Sequence, residues 1–434
     1  MAKILIAAGK IVSQISRVLN LGNGSTWPGH IALSVNQNFI KETLRGSDIK
    51  IILIAGTNGK TTTGKLIQTI LEHNGSTVFQ NEAGANLVNG IASSLLLHSS
   101  ILSTLPYDYA VFEVDENSLP LVLQELTPHY LILLNLFRDQ LDRYGEVNTI
   151  ARKWQEAVKK LPKKTTLILN ADDPQIASLC HPELVSGSHP QVLYFGLDDP
   201  SLSVKTPQHA VDSNYCPNCH HKLTYKTVYF SHLGDWKCPN CSRARGPLAK
   251  ISPYYPLAGV YNRYNTLAAV LTAKNIGISD KTIDSALKNF SPAFGRQEKL
   301  SVNGKSIQIF LSKNPTSFNE SLRTVKELGA KNILFVLNDR IPDGRDVSWI
   351  WDIDFENFIG KNMNITISGD RCYDMGLRIK YSQILNTKYQ IPNTLGDAIT
   401  SALDKTPKSE ILYILPTYSA MLEFRKILTG KKIL

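Results

Sequence analysis

Short runs of apolar residues recur along the chain, and most of them end in polar or acidic residues. In the first part of the sequence they lie at 51–55, 109–112, 130–134 and 166–169. Segments with the spacing of amphipathic helices separate them. Continuous apolar runs are typical of parallel strands that helices bury on both faces. The pattern therefore predicts a doubly wound α/β sheet.

A second series of apolar runs begins after residue 300. It predicts strands near 307–311, 333–336, 365–367 and 411–415. Helical patterns between these runs indicate a second doubly wound, Rossmann-like domain. We expect the segment 294–298 to be the hinge, which divides the chain into a first domain, residues 1–297, and a C-terminal domain, residues 298–434.

The turn after the first apolar run is rich in glycine and contains a lysine. It consists of Gly56, Thr57, Asn58, Gly59, Lys60, Thr61 and Thr62, and a helical pattern follows. The glycines let backbone N–H groups face an anion, the lysine adds a full charge, and the next hydroxyl can bind Mg²⁺. Ile54 stands where the general Walker sequence has its first glycine. Strand, turn and helix signals together predict an ATP-binding phosphate loop.

Polar residues at the ends of other elements are candidates for the same site. The run at 109–112 ends in carboxylates, and we select Glu113 as a Mg²⁺ ligand, although a surface carboxylate is also common there. Asn262 and Asn265 lie at a helix start, where asparagine often serves as a cap. Arg296 follows Gly295 and can bind phosphate oxygens in bidentate fashion.

Four of the six cysteines form two matched pairs. Cys216 and Cys219 enclose Pro-Asn, as do Cys238 and Cys241, inside a segment of about 212–246 that breaks the α/β pattern. Four thiolates predict a closed tetrahedral zinc site in an inserted ribbon, which is structural because no ligand position stays open. Coincidental pairing is the alternative. A ribbon can also bind nucleic acid, but this one contains only scattered basic residues.

Composition restricts the class of protein further. The 434 residues include 47 Lys and Arg against 37 Asp and Glu, a net charge of +10 that either favours an anionic partner or is diffuse. We expect a protein of the reducing cytoplasm, because the cysteines form a metal pattern more than a disulfide framework. The apolar N-terminal run is too short for a signal peptide, and no stretch has the length of a membrane span. An amphipathic helix at 11–19 could contact a membrane surface.

Taken in this order, the motifs resemble those of the Mur ligase family of ATP-dependent peptidoglycan enzymes, from about residue 45 to the end. The phosphate loop without the first Walker glycine is that family's own variant. The other shared stretches are Glu113, Asp139 to Gly145, Asn170 to Pro174, Gly259 to Asn265, Gly295 to Glu298, and Asn314 with Pro315.

The inserted ribbon, the missing N-terminal UDP-substrate domain and the run from Asp343 to Asp352 are similar to the amidating members of that family. The resemblance implies an acyl phosphate, made with ATP on the α-carboxylate of D-glutamate in the lipid II stem peptide, and attack by ammonia to give D-isoglutamine. It implies that Lys60 and the loop amides hold phosphates, Thr61 and Glu113 hold Mg²⁺, and Asn262 and Arg296 contact the nucleotide.

The source of ammonia is expected to be a second polypeptide. Neither Cys180 nor Cys372, the two cysteines outside the ribbon, lies on a recognisable nucleophile turn. The resemblance implies a heterodimer with a GatD-like glutaminase subunit, acting at the inner face of the cytoplasmic membrane. It also implies that an aspartate of this chain orients the glutaminase histidine. We expect Asp352 in that role, then Asp346, and a helix-capping carboxylate is the alternative.

Some departures from the family pattern leave questions open. Gln140 replaces a histidine that relatives use near a second Mg²⁺, Lys153 is an uncertain counterpart of their carbamylated lysine, and Lys313 lies where peptide-adding relatives carry histidine. Two alternative functions are consistent with the sequence. One is a different Mur-like ligase, either peptide-adding or similar to folylpolyglutamate synthase. The other is a zinc-ribbon ATPase that binds nucleic acid, which the lack of a clustered Lys/Arg stripe disfavours.

Overall fold

The first domain is built on a six-stranded sheet. The computed structural model describes residues 5–12, 26–81, 84–100, 104–139, 147–180, 190–204, 211–360, 362–382 and 389–429. The strands of the first sheet are β1 Lys50–Ala55, β2 Val78–Gln80, β3 Tyr109–Val114, β4 Tyr130–Leu133, β5 Thr166–Asn170 and β6 Gln191–Phe195. They are all parallel, in the order β2-β3-β1-β4-β5-β6. The predicted doubly wound sheet is confirmed.

Helices cover both faces of this sheet. They are α1 at residues 5–12, α2 Trp27–Val35, α3 Phe39–Leu44, α4 Lys60–His73, α5 Val88–His98, α6 Leu119–Glu125, α7 Val147–Val158, α8 Pro174–Ala177, α9 Val260–Ile276 and α10 Asp280–Lys288. Because side chains alternate along a strand, Ile51 and Leu53 pack into the core on one face, and Ile52 and Ile54 into the core on the other. The central strand is thus buried on both sides.

The second sheet is mixed, which corrects the prediction of a second purely doubly wound domain. Its strands are β9 Arg296–Val302, β10 Lys305–Phe310, β11 Asn332–Val336, β12 Asn364–Ser368, β13 Tyr389–Gln390 and β14 Ile411–Pro416, in the order β13-β12-β11-β14-β10-β9. The edge strand β9 is antiparallel to β10, and the other pairs are parallel. The predicted hinge therefore ends at Gly295, since Arg296 already belongs to β9.

The reason for the antiparallel edge is a two-residue hairpin. Val302 pairs with Lys305, and the residues between them, Asn303 and Gly304, have φ of +51° and +74°. Asn-Gly is the strongest short hairpin signal because both residues tolerate positive φ. The helices of this domain are α11 Pro315–Glu327, α12 Phe355–Phe358, α13 Cys372–Tyr381, α14 Leu395–Lys405 and α15 Tyr418–Thr429, with a 3-10 helix at Ser348–Asp352.

The inserted ribbon is an antiparallel hairpin of β7, Thr224–Phe230, and β8, Leu233–Lys237. It lies between β6 and α9 in sequence.

In the N-terminal region, Trp27 begins α2 and Pro28 occupies its first turn, where the missing N–H is not needed. Most of the helix predicted at 11–19 lies outside the described residues. Among the helices that are described, none is long and apolar enough to cross a membrane.

Candidate functional site

The phosphate loop forms a tight turn at the carboxyl end of β1. Gly56 and Gly59 have φ of +147° and +94°, conformations that disfavour other residues. A Cβ on Gly59 would lie 2.1 Å from Oδ1 of Asn265, so a side chain is excluded there. Lys60 opens α4 directly afterwards. The first N–H groups of the helix have no acceptor within the helix and, with the helix dipole, favour an anion.

The polar loop after β4 holds the phosphate loop in place. Asn58 N–H donates to Oδ1 of Asn135 at 2.9 Å, and the Asn135 amide donates back to the Asn58 carbonyl at 3.0 Å. The Thr57 hydroxyl accepts from Phe137 N–H at 3.0 Å. Thr57 and Asn58, which were predicted only as parts of the phosphate loop, thus also fix that loop to the one after β4.

The charge on Lys60 is buried and paired. Its ammonium group donates to Oε2 of Glu116 at 3.2 Å and to the carbonyl of Gly56. Burial alone would raise the pKa of Glu116, but the charges of Lys60 and Lys313 outweigh it and lower that pKa. Sequence reasoning missed Glu116, which follows the carboxylate run of β3. The signal was present, since a buried lysine requires a buried acid nearby.

The predicted Mg²⁺ ligands lie together. The Thr61 hydroxyl donates to Oε2 of Glu113 at 2.8 Å. Burial raises the pKa of Glu113, and the hydrogen bond from Thr61 opposes that rise only in part. A hydroxyl and a carboxylate oxygen beside a phosphate cradle are the hard oxygen donors that Mg²⁺ prefers, so these two residues fit the ion.

The second domain closes over this site from the opposite side. The Lys313 ammonium pairs with Asp139, and Asn314 exchanges side-chain hydrogen bonds with Asn58. Asn314 also begins α11 with a capping box that uses Ser317. Burial alone would lower the pKa of Lys313. The charges of nearby carboxylates outweigh burial, so the pKa is raised and the ammonium group stays cationic. A second cation thus lies near the phosphate loop.

Between the two domains lies a cavity, here called the P-loop cavity. Many of its lining residues are polar or come from the phosphate loop. They include Asn58, Gly59, Thr62, Asn262, Asn265, Arg296, Gln297 and Glu320. The N-cap residue of α9 is Gly259. The alternative role of Asn262 and Asn265 as helix caps is therefore excluded. Asn262 instead donates to the Ala258 carbonyl and accepts from the Asn265 amide. The predicted nucleotide residues Asn262 and Arg296 are therefore brought to the phosphate loop.

The structure contains a second cavity, here called the Asp352 cavity. It is lined by Arg138, Asp139, Lys313, Asn314, Pro315, Asp343, Asp346, Ser348, Trp349 and Asp352. Both predicted partner-facing aspartates therefore line one space. Asp352 accepts from the guanidinium of Arg138 at 3.2 Å, and Asp346 accepts from Ser348 N–H at 2.8 Å. Asp346 thus contacts the first residue of the 3-10 helix, whereas Asp352 is its last residue and does not cap α12.

The acidic turn after β5 has a structural role. Asp172 accepts from the Tyr264 hydroxyl at 2.6 Å and forms an ion pair with Arg245 at 2.7 Å. Asp173 caps α8 and accepts from Leu136 N–H. Burial raises the pKa of Asp172 to about 6. This stretch ties the ribbon to the sheet and does not face either cavity.

The four paired cysteines converge at the end of the ribbon. Their Sγ atoms lie within 4.8 Å of one another, with Cys216 to Cys241 at 3.6 Å and Cys219 to Cys238 at 3.4 Å. The two turns are equivalent, because His220 and Ser242, which follow the second cysteine of each pair, have φ of +60° and +58°. Bonds of about 2.3 Å from a tetrahedral Zn²⁺ place sulfur atoms roughly 3.8 Å apart, so the four thiols fit that ion.

Lys153 is exposed on α7 and lines neither cavity. Gln140 lies outside the described residues. Cys180 is mostly buried, and burial raises the pKa of its thiol to about 11, so it is a poor nucleophile. Cys372 opens α13, away from the cysteine cluster.

Comparison with known proteins agrees with this geometry. The family "Mur ligase middle domain" matches residues 54–273, and "MurT ligase C-terminal" matches residues 311–421. The chain is 30% identical to the lipid II isoglutaminyl synthase (glutamine-hydrolyzing) subunit MurT of Staphylococcus aureus strain COL, over 96% of this chain and 95% of that protein. Identity to the subunit of the same name from Streptococcus pneumoniae is also 30%, over 95% and 94%.

Solved structures share the fold. A pseudomurein peptide ligase type C from Methanothermus fervidus superposes with a TM-score of 0.64 at 21% identity, covering 90% of this chain and 80% of that one. The class defined by fold and site is thus an ATP-dependent ligase with a phosphate loop between two α/β domains. The chain belongs to the Mur ligase family and, within it, to the group of MurT subunits.

Proposed function

We propose that this chain is the synthetase subunit of a lipid II isoglutaminyl synthase. It uses ATP to amidate the α-carboxylate of D-glutamate in the lipid II stem peptide and so serves peptidoglycan synthesis. The observation that carries the proposal is the end-to-end likeness to MurT subunits, 30% identity over 96% of the chain. The two-domain arrangement, with 1–297 as the ATP-binding domain and 298–434 as the MurT-type domain, is part of the same proposal.

The reaction divides into two displacements. A substrate carboxylate oxygen attacks the γ-phosphorus of ATP, ADP leaves, and an acyl phosphate forms. Ammonia then attacks the acyl carbon, phosphate leaves, and the nitrogen loses a proton to give the amide. Both steps gather negative charge on phosphoryl oxygens, which fixed cations and backbone N–H groups stabilise.

The residues around the phosphate loop have distinct roles in this scheme. Lys60 and the N–H groups from Gly59 onward hold the β- and γ-phosphates. Thr61 and Glu113 hold Mg²⁺, which offsets phosphate charge when it is bound. Lys313 adds a second cation near the phosphate loop, and Asn262 and Arg296 contact the nucleotide across the cleft. Three observations support these roles: Asn262 and Arg296 line the P-loop cavity with Gly59, Thr61 contacts Glu113, and Lys313 pairs with Asp139 beside the phosphate loop.

The four-cysteine cluster is proposed to bind a structural Zn²⁺. Cys216, Cys219, Cys238 and Cys241 supply all four ligands, so no position stays open for chemistry. The close approach of the sulfur atoms supports this assignment.

A GatD-like glutaminase is proposed as the partner that supplies ammonia, with Asp352 orienting its catalytic histidine. An exposed apolar surface supports this, because Trp351 precedes Asp352 and its ring lies 6.4 Å from that of Tyr381. Tyr373, Leu377 and Tyr381 are all exposed, one helical turn apart along α13. Such an aromatic surface next to a functional carboxylate is typical of a protein interface.

The substrate indicates where in the cell the reaction takes place. Lipid II is anchored in a membrane, so we propose that the enzyme acts at the inner face of the cytoplasmic membrane, where ATP is available. Peripheral contact with the membrane surface is part of this proposal, and contact with nucleic acid is not.

The test is an amidation assay with purified chain, ATP, Mg²⁺ and lipid II. With ammonium chloride the chain alone is expected to convert D-glutamate to D-isoglutamine, which mass spectrometry detects as a loss of about one mass unit. With glutamine it should need the glutaminase subunit. ATP hydrolysis stimulated by a free amino acid or a folate, without amidation of lipid II, would instead favour another Mur-like ligase.

A further inference from the structure

Part of the lining of the P-loop cavity is apolar or aromatic. Phe137, Phe230, Leu233 and Tyr264 lie next to one another in this apolar part, and Phe310 and Leu311 also line the cavity. Phosphates belong near Gly59 and Lys60, so a planar, weakly polar group fits the apolar part. Two of these residues, Phe230 and Leu233, come from the inserted ribbon.

These two residues flank the tip of the ribbon hairpin. Phe230 ends β7, Leu233 begins β8, and the two pair with each other across the two-residue turn of Ser231 and His232. The ring of Phe230 lies 6.0 Å from that of Phe137 and 5.7 Å from that of Tyr264. The tip is therefore packed into the sheet domain as part of the cavity wall, while the cysteine turns lie at the other end of the hairpin.

The hairpin is fixed to the first domain through residues that also pack on the cysteine cluster. Trp236 packs in a small core with Cys216 and Cys238. Its indole N–H donates to the Ala171 carbonyl at 2.9 Å, and Gly234 N–H donates to the carbonyl of Asp172 at 3.0 Å. A structural change at the cysteine cluster can thus be transmitted to the hairpin tip through strand β8.

The second domain holds the same hairpin from the opposite side. The guanidinium of Arg323, on α11, donates to the Tyr229 carbonyl at 2.8 Å and to the Leu202 carbonyl at 3.0 Å. Glu320 and Ser321 of the same helix line the P-loop cavity. Sheet domain, ribbon and second domain therefore all meet at this cavity.

We infer that the ribbon tip is the base-contacting wall of the nucleotide site, with Phe230 and Leu233 determining affinity for the nucleoside base. The cysteine cluster acts on nucleotide binding because it anchors the hairpin that carries this wall. The inference rests on the proposed function to the extent that the P-loop cavity takes a nucleoside triphosphate.

The test compares a ligand that has a base with one that has none. Calorimetry on the full, zinc-containing chain measures the Kd of Mg·ATP and of Mg·tripolyphosphate, which occupies only the phosphate end. Phe230→Leu keeps an apolar side chain but loses the aromatic ring. We expect it to weaken ATP binding about tenfold and to leave tripolyphosphate binding within about twofold.

Tyr229→Phe is the matched control, because Tyr229 precedes Phe230, is buried, and does not line the cavity. It should leave both affinities unchanged. Unchanged ATP affinity in Phe230→Leu, or equal weakening of both ligands, would overturn the inference. If the wild-type chain binds no ATP, the proposed function fails instead.

The cluster is tested with the same two ligands. Cys219→Ser removes one thiol at the far end of the hairpin, and metal analysis verifies that zinc is lost. ATP affinity should decrease several-fold while tripolyphosphate affinity holds. An unchanged ATP affinity in a zinc-free chain would refute the link between cluster and wall.

Discussion

The P-loop cavity and the Asp352 cavity meet where Asn58 contacts Asn314. The ion pairs near the two cavities differ in how deeply they are buried. The Lys60 and Glu116 side chains are 10% and 5% exposed, whereas Arg138 and Asp352 are 37% and 38% exposed. A buried pair cannot lose one member without a large cost, but a half-exposed pair contributes little. The buried pair is satisfied within this chain, whereas the half-exposed pair offers a carboxylate that another polypeptide could take over.

The largest effect is expected at the buried pair. Lys60→Ala should reduce amidation at least about 10³-fold with either nitrogen source, because the phosphoryl charge loses its cation and Glu116 loses its partner. The measurement is the rate of lipid II amidation with ammonia and with glutamine plus glutaminase.

Lys65→Ala is the control for that variant. Lys65 lies on the same helix and donates to Gln68, away from the phosphate loop. Its activity should stay near wild type. Substantial amidation by Lys60→Ala would reject the phosphate site.

A selective loss is expected at the half-exposed pair. Asp352→Asn keeps an oxygen for Arg138 but can no longer stabilise a protonated histidine of the partner. Glutamine-dependent amidation should decrease about 100-fold or more, while activity with free ammonia remains. Asp346→Asn, in the same cavity, serves as the comparison. Equal loss with both nitrogen sources would rule out the orienting role of Asp352.

Removing zinc should affect stability more than chemistry. The ribbon core is small, so Cys219→Ser is expected to lower the melting temperature by roughly 5–10 °C. Cys372→Ser changes a thiol outside the cluster and should shift it little. A purified wild-type chain without bound zinc, or equal melting temperatures for the two variants, would contradict the zinc site.

The smallest effect is a pH dependence at Asp172. Because its pKa is raised from 3.8 to about 6, chiefly by burial, the folded chain keeps a proton that the unfolded chain releases in this range. The stability from this group is thus fully present below about pH 4 and is lost as pH rises through 6, on the order of 1–3 kcal/mol.

Denaturant unfolding of wild type and Asp172→Asn from pH 4 to 7 measures this effect. The difference in unfolding free energy, wild type minus variant, should decrease across that interval. Parallel curves would show that Asp172 does not titrate there.

The two cavities also differ in how far the sequence could predict them. Gly56, Lys60 and Thr61 lie close together in sequence, so their joint role in binding phosphate follows from the local sequence pattern. Arg138 and Asp352 are far apart in sequence, and only the packing of two domains brings them together. Spacing along the chain contains no information about such contacts.

Two other features escaped prediction for similar reasons. The antiparallel strand β9 has a local signal, Asn303 with Gly304, which the surrounding parallel pattern obscured. The placement of Phe230 in the cavity wall has none, because it depends on how the hairpin packs on the sheet. Local chemistry was predictable from the residues themselves, and long-range assembly was predictable only where the family resemblance implied it, as for Asn262 and Arg296.

The central claim is that the carboxylate is activated by phosphorylation in the P-loop cavity. The most direct measurement uses lipid II labelled with ¹⁸O in the D-glutamate α-carboxylate, with ATP and ammonia. Transfer of one ¹⁸O atom to inorganic phosphate for each amide formed is the predicted result. Amide formation with no ¹⁸O in the phosphate would contradict the account.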